Sequence, residues 1–77
     1  MNIILLKDLE TNEVDGIIID ETRRKTNEIA EEINNIISET KEKYCDEWSL
    51  DDITTAISDK GYVVIEGYNG KVPSVYY

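Results

Sequence analysis

DEWSLDDITTAISDKGYVVI, residues 46–65, holds four carboxylates in its first seven positions, the chain's one tryptophan, and a change of periodicity near its end. The change of periodicity decides the fold. Ser49 is a strong helix N-cap, and Asp52 stands three residues on, as in a capping box with Asp in place of Glu. Trp48 before the cap and Ile53 as the fourth helical residue match a hydrophobic staple. Asp51 and Asp52 fall in the first turn, where the helix dipole favours negative charge by roughly 0.3–1 kcal/mol each. The helix is expected to run to about Lys60. Gly61 is placed for the left-handed conformation that ends a helix, and Tyr62 can close back onto Ile57. Tyr62-Val63-Val64-Ile65-Glu66 then reads as a strand. Asp51, Asp52 and Trp48 therefore have a structural explanation, and Asp46 and Glu47 have none.

Working outward from this helix, Ile29, Ile33, Ile36, Ile37, Thr40 and Tyr44 recur at helical spacing. They predict a helix over roughly residues 21–44, with Asp20 or Thr22 as its cap. Glu28, Glu31, Glu32, Glu39 and Glu42 fall on the opposite side and make an acidic stripe. Arg23, Arg24 and Lys25 lie near its beginning, the wrong end for the dipole. Glu21 with Lys25, and Glu39 with Lys43, are favourable pairs four apart.

Before that helix, residues 3–9 and 13–19 read as a hairpin around Glu10-Thr11-Asn12, with Gly16 as a candidate bulge. After the third strand, Asn69-Gly70 is a two-residue hairpin signal. Lys71 to Tyr77 is then expected to return as a short edge strand, its pairing limited by Pro73. The order β-β-α-α-β(-β) predicts a single α+β domain over 1–77: two layers, a small antiparallel sheet of three or four strands, and two helices.

Ile3 to Leu6, Ile17 to Ile19 and Val63 to Ile65 are apolar on consecutive positions, whereas a strand with one wet face alternates. Two helices cover only one face of a sheet. The other is expected to be covered by the tyrosine-rich tail, by a second copy in a homodimer, or by a partner.

Composition excludes more than it assigns. The 77 residues allow one small domain, which buries roughly 60% of the surface its unfolded chain exposes. With no histidine, Ser-His-Asp and Cys-His catalysis is missing, and one cysteine cannot build an ordinary zinc site. Cys45, beside Asp46 and Glu47, is a poor thiolate and reads as buried or half-buried filler. The four glycines are scattered, so no phosphate loop exists. Asp8, Glu10 and Asn12 have calcium-loop spacing, but Glu13 and Ile19 stand where that loop needs Gly and Glu. No enzymatic activity and no cofactor are expected. The apolar run after Met1 is too short for a signal peptide or membrane span, so cytoplasmic residence is expected.

Seventeen acids oppose eight bases, for a net charge of −9. Such a field repels nucleic acid and membrane and attracts basic protein surfaces. Carboxylates three or four apart on a helix lie roughly 5–6 Å apart at Cβ, near the spacing of successive phosphates. A rigid array of this kind suits the basic groove of a nucleic-acid enzyme. The candidates are Glu28, Glu31, Glu32, Glu39 and Glu42, and the cluster Asp46, Glu47, Asp51 and Asp52. Tyr44, Trp48 or the tail tyrosines would supply apolar anchors. Each residue also has a plainer reading as a solvated helix face, a cap or core packing.

A short, acidic chain rich in Asn, Ile and Lys and lacking catalytic residues resembles, as a class, the small phage and mobile-element proteins that block host defence. Anti-CRISPR proteins and anti-restriction DNA mimics are its known members. The resemblance covers size and composition and carries no residue across. It implies stoichiometric binding to a CRISPR effector nuclease in a bacterial cytoplasm, at the surface that receives DNA. The alternative is a small self-associating structural or regulatory adaptor, which would act through its apolar sheet face and its Val72-Pro73-Ser74-Val75-Tyr76-Tyr77 tail.

Overall fold

The computed structural model describes residues 2–65 and 74–77. Strands β1 (Asn2–Lys7) and β2 (Val14–Asp20) are followed by helix α1 (Thr26–Tyr44). A 3-10 turn (Cys45–Glu47) leads into helix α2 (Leu50–Asp59), then strands β3 (Val63–Ile65) and β4 (Ser74–Tyr76). The class is α+β and the order is β-β-α-α-β-β, as the sequence patterns predict.

The sheet runs β3-β2-β1-β4 and is mixed. β1 and β3 both pair antiparallel with β2, but β4 lies parallel to β1 at the far edge. The wholly antiparallel sheet expected from the sequence is corrected here, as is any pairing of the last strand with its predecessor. β4 is an edge strand on the other side of the sheet. Its register is fixed by burial: Val75 and Tyr77 point into the helix-side core and are almost fully buried. The Tyr77 amide donates to the Lys7 carbonyl at 3.0 Å, and the Leu9 amide donates to the Tyr77 carbonyl at 3.2 Å. The expected Asn69-Gly70 turn lies outside the described residues.

Between Leu6 and Lys7 the β1–β2 register shifts, because Leu6 faces Gly16 while Lys7 faces Val14. Asp15 is the extra residue, so the bulge expected at Gly16 is present beside it. The bulge puts Asp15 within reach of Tyr77, whose hydroxyl donates to its carboxylate.

The core is mostly isoleucine: Ile29, Ile33, Ile36 and Ile37 from α1, and Ile53 and Ile57 from α2, against Ile4, Leu6 and Ile18. Four of the five buried residues of α1 are β-branched isoleucines, so packing rather than intrinsic propensity holds this helix. Thr40 is buried because its hydroxyl donates back to the Ile36 carbonyl at 2.7 Å. Tyr44 leaves the expected face and is 41% exposed.

α2 is bounded as the sequence specifies. The Ser49 amide donates to Asp52 Oδ2 at 2.9 Å, and the Ser49 hydroxyl accepts from the Asp52 amide. Gly61 has φ +96°. α1 is not. It begins at Thr26 rather than residue 21, with Lys25 as an N-cap that makes no side-chain bond. Neither expected cap is available: Asp20 is buried, and Thr22 donates to the Asp20 carboxylate instead of the helix.

Cys45 is exposed and has φ +53°, a positive value at which glycine is favoured. The expectation that it fills the interior is therefore corrected. The chain leaves α1 at Cys45 by a sharp reversal, and this turns the side chain outward.

The face of the sheet away from the helices is apolar. Ile3, Leu5, Ile17, Ile19, Val63 and Ile65 lie opposite the core-facing Ile4, Ile18 and Val64 by strand alternation and register. Leu5 and Ile17 at its centre are buried, while Val63 is 50% and Ile65 46% exposed. Of the described tail residues, Tyr76 projects on this face and is 42% exposed. They join the sheet as β4.

Candidate acidic interface

Helical geometry places Glu28, Glu31, Glu39 and Glu42 within an arc of about 80° along about 21 Å of α1. All four are exposed. The isoleucines on the far side anchor the helix, so this face keeps a fixed orientation toward solvent. Among the described residues the only ion pairs are Arg24 with Asp20 at 3.6 Å and Arg24 with Glu32 at 2.9 Å. The four stripe glutamates are therefore unpaired there.

The nearby lysines point elsewhere. Lys41 Nζ lies 4.6 Å above the Trp48 ring and Lys43 Nζ 5.3 Å from the Tyr44 ring centroid. An ammonium is attracted to the electron-rich ring face, and at Trp48 it meets a half-buried, fixed partner. The pairings expected from spacing, Glu39 with Lys43 and Glu21 with Lys25, are not formed. At Lys43 the Tyr44 ring competes for the cation, Glu21 and Lys25 lie before α1 begins at Thr26 so helical spacing does not bring them together, and exposed pairs four apart contribute only about 0.3–0.5 kcal/mol.

Glu32 departs from the stripe. It faces toward the loop before α1, where it accepts from Arg24 Nη1 at 2.9 Å and from the Tyr62 hydroxyl at 2.7 Å. The hydrogen bond from Tyr62, followed by that from Arg24 and its charge, outweighs partial burial and holds the Glu32 carboxyl below its usual range. Its charge is internally compensated, so it is the member of the predicted array least available to a partner. Arg24 is similarly engaged, which splits the Arg23-Arg24-Lys25 triplet.

The second predicted cluster also divides. Glu47 and Asp51 are exposed, and Asp52 is occupied by the α2 cap. The backbone of Asp46 lies in the 3-10 turn. Asp51, Asp52 and Asp59 line a groove of about 180 Å³ between α1 and α2, together with Thr40, Lys43, Tyr44, Thr55 and Ala56. The stripe and this groove are two separate acidic surfaces on the helical layer.

Two contacts had no signal in the sequence. The Arg24–Glu32–Tyr62 set joins residues up to 38 apart. The Trp48 ring meets the Tyr77 ring edge-on, with centroids 6.0 Å apart. Trp48 and Tyr77 thus take part in packing, Tyr77 buried and Trp48 half-buried. Tyr76, 42% exposed, and Tyr44 remain on the surface.

Among the described residues no group of three or more His, Cys, Asp or Glu side chains is placed to hold a metal ion. Among the described residues no helix is long and apolar enough to cross a membrane. The chain matches no protein-family model, no curated protein and no solved structure.

Proposed function

We propose that the chain is a non-enzymatic inhibitor. It binds the basic surface of a nucleic-acid enzyme, such as a CRISPR effector nuclease in a bacterial cytoplasm, and competes there with DNA. The observation that carries this reading is the row of four exposed glutamates on α1, unpaired among the described residues and held in one arc by a packed helix. A fixed array of carboxylates needs no reorganisation to meet lysines and arginines. The net charge of −9 steers its approach to them.

The test is a pull-down with the tagged chain from nuclease-treated lysate of a bacterium carrying CRISPR and restriction systems, at low and at high salt. Recovery of a nucleic-acid enzyme that is lost at high salt, and lost with Glu28→Lys/Glu31→Lys/Glu39→Lys/Glu42→Lys, supports the inhibitor. A partner that persists in high salt and ignores the reversals overturns it.

A second reading rests on a different surface. Val63 and Ile65 project from the edge strand β3 on the face away from the helices, each about half exposed. An apolar patch beside a sheet edge favours association, and a self-associating adaptor would use it. Sedimentation of the full chain against Val63→Lys/Ile65→Lys separates the readings, since the inhibitor keeps its target in that variant and the adaptor loses its assembly.

A further inference from the structure

Three side chains from three parts of the fold close a ring of hydrogen bonds. Arg24 Nη1 donates to Glu32 Oε2 at 2.9 Å, Arg24 Nη2 donates to the Tyr62 hydroxyl oxygen at 2.7 Å, and the Tyr62 hydroxyl donates to Glu32 Oε1 at 2.7 Å. Arg24 belongs to the loop before α1, Glu32 to the second turn of α1, and Tyr62 to the link between α2 and β3. The guanidinium also packs 5.6 Å from the Tyr62 ring centroid. The loop 21–25 has no helical or strand ladder of its own. Its other ties are the Asn2 amide nitrogen, which donates to the Arg24 carbonyl at 3.0 Å, the bonds around Thr22, the Arg24–Asp20 ion pair, and the Lys25 carbonyl, which accepts from the Glu28 and Ile29 amides at the start of α1.

Both carboxylate oxygens of Glu32 act as acceptors in this ring. A proton on Oε2 would set an O–H against the donor-only guanidinium, a proton on Oε1 would force the Tyr62 hydroxyl to give up its bond and turn away, and in both cases the guanidinium would lose its counter-charge. We infer that the ring is an acid-released latch: protonation of Glu32 opens it and frees loop 21–25, with Arg23, Arg24 and Lys25 together, while the isoleucine core stays closed. The isoleucines and Leu6 that fill the core carry no titratable group, and Tyr62 belongs to both the ring and the core.

The groups facing the latch come from every neighbouring element. They are Asp20 at the end of β2, Arg24 in the loop, Glu32 on α1, and Lys60 and Tyr62 after α2. Asp20 is the other carboxylate in contact with Arg24, at 3.6 Å, and needs its own control. Glu32 is held below the usual carboxyl range, so the opening falls on the acid side of that range.

The experiment is backbone ¹⁵N relaxation of the full chain through an acid titration, with the Glu32 carboxyl followed by ¹³C. The wild type is expected to lose order at residues 21–25 in step with the Glu32 titration, before the amides of Ile4 and Ile18 change. In Glu32→Gln the amide NH₂ takes the place of the protonated oxygen, so the loop is expected to be mobile at every pH. Asp20→Asn is expected to keep the Glu32-linked transition. Tyr62→Phe is expected to move it to higher pH, and this shift decides the matter if Glu32→Gln does not fold. A loop that stays ordered until the core unfolds, or that is as rigid in Glu32→Gln as in the wild type at neutral pH, overturns the latch.

Discussion

α2 is ten residues long and has both ends fixed by residues beside it in sequence, whereas α1 is nineteen residues long and has neither end fixed that way. Ser49 and Asp52 satisfy each other's amides at the start of α2, and Gly61 takes the positive φ at its end. α1 starts at Thr26 with no side-chain cap from Lys25, and Cys45 at its C-cap has φ +53°. A helix with good caps tolerates a thin apolar stripe, and α2 buries only Ile53 and Ile57. A helix with poor ends must be held by packing, and α1 buries five residues. The contrast also separates roles: the helix held by tertiary contacts is the one whose outer face is free to carry unpaired charge.

The sharpest way to break this contrast is to remove packing from α1. Ile33 is fully buried at the centre of the core. Ile33→Ala is expected to cost about 2–5 kcal/mol, from lost transfer energy and the cavity left behind. Urea unfolding measures it. A cost near that of a cap would mean that α1 is not held by its core face.

Next come the ends of α2. Ser49→Ala removes the acceptor for the Asp52 amide and is expected to cost about 1 kcal/mol. Gly61→Ala has open space around the new Cβ, so its cost is backbone strain alone, again about 1 kcal/mol. For a chain this size each should lower Tm by about 4–8 °C in a thermal melt. Additivity in the double variant would show the two ends acting independently.

At the end of α1 the sign reverses. Cys45→Gly relieves a positive φ at an exposed position and is expected to raise stability by up to about 1 kcal/mol, after the entropy that glycine gains in the unfolded chain is deducted. A melt that falls instead would mean that the thiol makes a contact worth more than the strain.

These two ends also mark how far the sequence can be read. Ser49, Asp52 and Gly61 are local signals, each satisfied within a few residues, and all three act as their spacing implies. The apolar face of α1 and the order of all six elements are periodic signals and were equally legible. The start of α1 was not: Asp20 and Thr22 are good caps by type, but Asp20 is drawn inside by Thr22 and Arg24. The position of β4 was not legible either. Asn69-Gly70 signals only a local turn, while the open edge of β1 and the sites that bury Val75 and Tyr77 are made by residues some seventy positions earlier and by the helices. The outward face of the candidate interface followed from helical period. The diversion of Glu32 to Arg24 and Tyr62 did not, because no spacing rule joins residues 24, 32 and 62.

The smallest expected effect concerns that diversion and is best read against pH. Glu32 and Asp20 both have carboxyls below their usual values in the fold. At Asp20 burial pushes the carboxyl up, but the bond from Thr22 and the Arg24 charge prevail. For a depressed pKa the stabilising contribution is complete above the unfolded value, about 4 for these groups, and is lost as pH falls through the lower folded value. Tyr62 is shifted the other way, first by burial and then by its bond to Glu32, so its contribution is complete below its unfolded value of about 10 and is lost as pH rises through the higher folded one. The difference in stability between wild type and Glu32→Gln should therefore be flat at neutral pH and shrink below about pH 4. The Asp20→Asn difference should show an acid limb of the same sign, because that carboxyl is also held below its usual value. If the Glu32→Gln difference shows no acid limb, Glu32 belongs with the stripe after all and the separation between the ring and the interface fails.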